Sequence, residues 1–167
     1  MGAVFVSPHI RPFQTEDAPT LAALTLAAIV MIGVRAYSME QVMCWAAGHP
    51  GAARFIDSAA KGDLILVARA ADGPPAAYAL MERDGHLDML YCHPDFAGQG
   101  FATALLAQIE VEARQAGIGR IFAEASEISR PVFERSGYTL LHRRDFALMM
   151  GGAEVAMHNY AMEKLLD

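Results

Sequence analysis

Residues 93–110 read HPDFAGQGFATALLAQIE, and the reading of this stretch decides the fold. Upstream of it runs the apolar, proline-ended LDMLYCHP. Downstream, Leu105, Leu106, Ile109, Ala113 and Ala116 recur along one helical face, and Gly117 supplies a stop. Gly98 and Gly100 stand between a strand and a helix. Such a loop can cradle a phosphate with its backbone N–H groups, or it can be only a flexible helix start. The glycines alone do not choose between these.

Working outward, HLDMLYCHP and the preceding PAAYALMER read as two strands joined at Asp84-Gly85, a dipeptide suited to a tight hairpin. DLILVARA is a third strand from about Leu64 to Ala70, bounded by glycine and charge. Before these, the spacing predicts a strand near HIRPF and a helix capped by Thr15 that runs through the alanine-rich TLAALTLAAIVMIGV. A second helix starts at SMEQ, where Ser38 and Gln41 have capping-box spacing. After Gly117, RIFAEAS reads as a strand and RPVFER as a short helix ending at Gly137. Two long strands follow, separated by Gly151-Gly152. The expectation is one α/β (or α+β) domain over 1–167, a mixed, mostly antiparallel twisted sheet of about seven strands flanked by about four helices.

The bulk numbers narrow the function classes. A net charge of −6 argues against a nucleic-acid surface. It also means that any phosphate site must work through local backbone geometry. The most apolar window is broken by threonines and is shorter than the ~20 residues of a membrane span, so a buried helix and no membrane partner are expected. The opening MGAVFVSPHIRPF lacks the pattern of a secretory leader. Cys44 and Cys92 form no CxxC or Cys/His spacing, which points to a reducing, cytoplasmic setting without disulfide or zinc site. The six histidines show no HExxH spacing, so no metal is expected.

The loop and its flanks resemble the GNAT superfamily of acyl-coenzyme A N-acyltransferases over nearly the whole chain. The family signature, QxxGxG or QxxGxA between fourth strand and third helix, stands here as AxxGxA: Ala97, Gly100 and Ala102, with Gly98 and Gln99 between. Downstream FxxxGY, from Phe133 to Tyr138, resembles the family's YxxxGF. The resemblance implies acetyl-coenzyme A as co-substrate. Its pyrophosphate would be held by Ala97, Gly98, Gln99, Gly100, Phe101, Ala102 and Thr103, and its pantetheine arm would lie beside Leu90, Tyr91 and Cys92 like an added strand. Ser126, Phe133 and Arg135 complete the implied cofactor surface. Ala97 lacks the family's Arg or Gln side chain, and the expectation is that its backbone N–H remains available, helped by Arg130 or Arg135.

An amine with a pKa near 10.4 must lose a proton before attacking a thioester, at a cost of about 4 kcal/mol at neutral pH unless a base helps. Asp88, six residues before Pro94, stands where some GNAT enzymes carry a glutamate base; His86 would relay for it, and Glu124 is a second carboxylate candidate. The family's thiolate-protonating tyrosine is Phe133 here, and its common asparagine is Ser126. Tyr91, Tyr138 and Tyr160 are substitute acids that the sequence does not separate. Tyr37, Trp45, Met31, Met39 and Met43 are candidate walls of an acceptor pocket.

The expected activity is therefore N-acetyl transfer to a primary amine of a small molecule. Protein N-termini or lysines are the alternative acceptors, and an acyl-coenzyme A sensor without turnover is the alternative class. A Walker-type nucleotide site is disfavoured, because no GK[ST] follows the glycines. A hydrophobic content of 54% is compatible with a homodimer that covers apolar surface.

Overall fold

The structure, a computed structural model, describes residues 7–167. The opening MGAVFV, on which the reading of no leader partly rests, lies outside the described residues. In chain order the elements are β1 (Pro8–Pro12), α1 (Ala18–Ile32), α2 (Met39–Ala47), α3 (Ala53–Ala60), β2 (Leu64–Ala70), β3 (Pro75–Met81), β4 (Leu87–Cys92), α4 (Phe101–Gln115), β5 (Arg120–Ala125), α5 (Arg130–Arg135), β6 (Thr139–Met150) and β7 (Ala153–Leu165). Among the described residues this is the expected mixed α/β architecture of seven strands, with five α-helices where about four were anticipated.

The strands form two antiparallel sheets, ordered β1-β2-β3-β4 and β5-β7-β6. One point joins them. At the Asp84-Gly85 turn, Gly85 has φ +95°, and a Cβ there would lie 2.1 Å from the Arg120 carbonyl oxygen. Only glycine fits this close approach. It lets Phe122 N–H donate to the Gly85 carbonyl at 3.1 Å and sets His86 in a parallel bridge with Phe122. Past that bridge β4 pairs with β3 alone, and β4 and β5 splay apart.

Helix α4 covers one face. Its Leu105, Leu106, Ile109 and Ala113 are fully buried against Ala79, Ile121, Tyr138 and Met162, each large aliphatic side chain contributing about 1.5–3 kcal/mol. Ala116, expected on this stripe, is exposed. The opposite face is covered by α1 and α3, whose Leu21, Leu24 and Phe55 meet Val67, Tyr78 and Leu80. The run Thr15–Arg35 is apolar and long enough to cross a membrane by composition, yet half of it is buried on the sheet.

Two local expectations needed correction. Thr15 is not the N-cap of α1: Thr15–Asp17 is a 3-10 turn, and α1 follows from Asp17. The Asp17 carboxylate accepts from Gln14 N–H at 2.8 Å and from both terminal nitrogens of Arg11 at 2.7 and 2.8 Å, which fixes the chain entry there. The other is α3, a third helix where only two were expected before the strand at Leu64; it lacks a side-chain cap at Ala52. At α2 the capping box forms as expected: Gln41 N–H donates to Ser38 Oγ at 3.1 Å, and Ser38 N–H donates to Gln41 Oε1 at 2.9 Å.

Candidate active site

The splay between β4 and β5 opens a cleft of about 460 Å³. Its walls include Leu90, Tyr91 and Cys92 from β4 and Ala97, Gly98, Gly100, Phe101, Ala102 and Thr103 from the glycine loop and first turn of α4. Ser126, Phe133 and Arg135 line it from the β5–α5 side. Asp88, Glu124 and Trp45 also line it, together with Ile29, Ile32 and Arg35 from α1 and the turn after it. Gln99 faces away, and its amide donates to the Asp95 carbonyl at 3.2 Å.

The loop is shaped for an anion by its backbone. Gly98 and Gly100 have φ +76° and +89°, and a Cβ at either position would meet nothing within 4 Å. The glycines are thus needed for left-handed backbone. Gly100 is the N-cap of the fifteen-residue α4 and offers no side chain to cap it, so the first-turn N–H groups and the positive end of the helix dipole face the cleft. Ala97 corrects an expectation: its N–H donates to the Pro94 carbonyl at 3.3 Å and is not free for a ligand. Phe101 contributes backbone only, since its ring is buried with Phe96.

Charged groups gather where the sheets meet. His86 Nε2 is 2.6 Å from Glu124 and Nδ1 is 3.1 Å from Glu82. The hydrogen bond to Glu124, then the charges around it, push the His86 pKa up to about 9 against the cost of burial. The imidazole therefore holds its proton at neutral pH. Both its nitrogens are engaged by glutamates, so the structure does not place it as a relay for Asp88. Asp88 pairs instead with Arg54 Nη2 at 2.7 Å, a residue of the unanticipated α3. Burial raises the Asp88 pKa, with Arg54 pulling the other way. Glu124 moves oppositely: the His86 hydrogen bond holds its pKa below the usual value. The two cleft carboxylates are thus shifted in opposite directions, Asp88 by burial and Glu124 by its cationic partner.

One ligand atom each from Glu82, His86 and Asp88 lies within 4.8 Å of the others. The cationic partners of this group are Arg54 and protonated His86, which would have to lose its proton before ligating a metal.

A family model described as an acetyltransferase (GNAT) domain matches residues 34–147, more than half of the chain. The chain belongs to the GNAT family. Its fold superposes on a GCN5-related N-acetyltransferase from Rhodopseudomonas palustris with a TM-score of 0.84 and 31% identity, covering 99% of this chain and 100% of that one. The glucosamine 6-phosphate N-acetyltransferase of Trypanosoma brucei brucei is 26% identical over 144 residues, 86% of this chain and 88% of that protein. PaiA N-acetyltransferase from Thermoplasma acidophilum, solved in complex with coenzyme A, shares the fold at a TM-score of 0.75 and 18% identity, over 95% and 99% of the two chains.

Within this GNAT domain the candidate acids separate. Tyr91 lines the cleft, its pKa raised to about 12 by burial. Tyr160 donates to Glu127 at 2.8 Å. Tyr138 is buried against Phe133, and burial pushes its pKa far up. Neither of the last two lines the cleft.

The proposed acceptor walls divide likewise. Trp45 lines the GNAT cleft, but Tyr37 is buried elsewhere, its hydroxyl donating to the His158 carbonyl at 3.1 Å and accepting from Glu127 N–H at 2.8 Å. Met31, Met39 and Met43 point to solvent. Arg130 pairs with Glu134 and stacks over Tyr160, which leaves Arg135 as the one of these two arginines that lines the cleft. Arg35 and Arg54 were not anticipated. Arg35 follows the last periodic residue of α1, and Arg54 lies on a helix too short and uncapped to announce itself.

Proposed function

We propose that this GNAT enzyme transfers an acetyl group from acetyl-coenzyme A to the primary amine of a small molecule that also carries an anionic group, with Asp88 as general base. The observation that carries the reading is the pairing of opposite charges on one cleft. Asp88, a carboxylate with a raised pKa, lines the same 460 Å³ space as Arg35, which enters no ion pair among the described residues. An ammonium suits the carboxylate end, and a carboxylate or phosphate suits the arginine.

Atoms balance simply. Asp88 takes one proton from the ammonium, directly or through a water. The amine nitrogen then forms a bond to the thioester carbonyl carbon as the carbon–sulfur bond breaks, and the second nitrogen proton goes with the sulfur. A thiol near pKa 8.5 leaves without a strong acid, so the phenylalanine at 133 does not block the reaction, and Tyr91 can donate a hydrogen bond there. The glycine loop and Arg135 support pyrophosphate binding, and the unpaired β4 edge supports a strand-like pantetheine arm. Two free cysteines support a reducing, cytoplasmic setting.

The test is thiol release from acetyl-coenzyme A across a panel of amines with and without acidic groups, alongside basic peptides, with cofactor binding measured separately by calorimetry. Turnover concentrated on acid-bearing small amines is the expected outcome. Turnover on peptides alone would move the acceptor class to proteins. Tight binding with no turnover would make the protein a sensor.

A further inference from the structure

Strand β6 sits at the free edge of its sheet, and eleven of its twelve residues are exposed. Strands in globular proteins commonly run about 5–6 residues, and long exposed edges are usually blunted by proline, charged side chains (lysine above all), bulges or coverage. Between Thr139 and Met150 there is neither proline nor lysine, and the only irregularity in its pairing with β7 is the shift at Leu140/His142. Leu140, Leu141, Phe146, Met149 and Met150 are all exposed on it. We propose that this edge is covered by β6 of a second copy of this chain, in an antiparallel two-fold dimer that continues the β5-β7-β6 sheet through both copies.

Charge and ladder geometry select the occupant and the register. In an antiparallel ladder the free edge presents N–H and C=O from alternate residues, so two copies of one strand pair only in registers centred on a residue. Centring on Arg144 sets Arg143 opposite Asp145 of the second copy, twice by symmetry, with Leu141 opposite Ala147. Centring on Arg143 would bring His142 against Arg144, and centring on Asp145 would set that acid against itself. The one like-charge pair in the chosen register is Arg144 with itself, and Arg144 is drawn aside: it donates to Asn159 at 3.1 Å and lies 4.0 Å from Glu124. Arg143 and Asp145 already meet at 3.0 Å along the strand, so the two-fold would join four charges in one network.

The same axis carries a second apolar surface toward the interface. Helix α2 packs on the β6–β7 ribbon through Val42, Trp45, Leu148 and Met157, and its amide Gln41 donates to the Ala156 carbonyl at 2.8 Å. A two-fold perpendicular to the sheet puts both α2 helices on the same side, where Met39 and Met43 stand exposed. A bilayer fits less well, since a chain of net charge −6 is repelled by an anionic membrane surface.

The test is sedimentation equilibrium on wild type, Arg143→Asp, Asp145→Arg and an equimolar mixture of the two variants, with circular dichroism to verify folding. The dimer predicts that wild type associates at micromolar concentration and that each variant alone associates at least about tenfold more weakly. In the mixture association returns, because two acids of one chain then face two arginines of the other. The bond along the strand is lost in both variants, so only pairing between chains can rescue. A monomeric wild type overturns the proposal, as do variants that dimerise as tightly as wild type or a mixture that stays monomeric. Wild type that is monomeric but sediments with phosphatidylcholine vesicles overturns it in favour of a membrane surface.

Discussion

Replacing His86 by Gln tests the charge arrangement at the junction of the two sheets, and the expected effect depends on pH in a defined direction. In the folded protein the His86 pKa is about 9, against 6.5 for the free side chain. Between those values the folded state keeps a proton that the unfolded state has released. Stability from this group is therefore full below pH 6.5 and is lost as pH rises through 9. At 1.36 kcal/mol per pH unit the difference amounts to about 3 kcal/mol. Its partners Glu82 and Glu124 have side chains 37% and 36% exposed, and screening by solvent brings this to about 1–2 kcal/mol. Urea unfolding measured from pH 6 to pH 9 should show a wild-type midpoint falling by roughly 0.5–1 M. The half-buried Cys92 thiol, raised to about 11, contributes in the same direction, so the difference from His86→Gln isolates the histidine. Ring-proton NMR of His86 reads the midpoint directly. A midpoint at or below 6.5, or a variant with the wild-type slope, would refute the assignment of His86 as a cation held between two glutamates.

The other expectations concern chemistry and the loop. Asp88→Asn should lower kcat by about 10²–10⁴ with acetyl-coenzyme A affinity unchanged by calorimetry; full activity with a good acceptor at every pH would place the base elsewhere. Arg54→Met removes the cation that holds the Asp88 pKa down, so the acid limb of the kcat/KM profile should move to higher pH, and an unmoved limb would separate Asp88 from that limb. Gly100→Ala forces a side chain onto φ +89° and should cost about 1 kcal/mol in thermal unfolding along with weaker cofactor binding, whereas unchanged values of both would mean that the loop relaxes freely. Arg135→Ala should weaken acetyl-coenzyme A binding and flatten its dependence on salt, and an identical salt slope would leave the backbone as the sole anion holder.

What could be read from sequence was what is local. The glycine loop, the α2 capping box and the β3–β4 turn each carry their structural instruction within a few residues, and each formed as expected. Asp88 and Trp45 could be placed on their strand and helix because their neighbours fixed those elements, and both line the cleft. What escaped depends on long-range packing. Helix α3 begins without a capping side chain and is stabilised by burying Phe55 under the sheet, so nothing local announced it or the ion pair that its Arg54 makes. Tyr37 had the residue type of a pocket wall, but rotation of its turn spends the hydroxyl on β7 and the β5–α5 loop. The Ala97 N–H was counted as free because a 3-10 turn at Pro94–Phe96 could not be distinguished from open loop.

The Gly85 contact acts on the cleft as the rivet of a pair of compasses acts on its legs. The two sheets are pinned at that glycine, where there is no room for even one methyl group, and beyond the His86–Phe122 bridge β4 and β5 no longer pair. His86 follows the rivet by one residue and Asp88 by three, so the acid–base cluster occupies the narrow, stiff end of the angle while the glycine loop lies toward the wide end. A change that loosened the pin would therefore alter the spacing of the reacting groups first, and the grip on a long cofactor only afterwards.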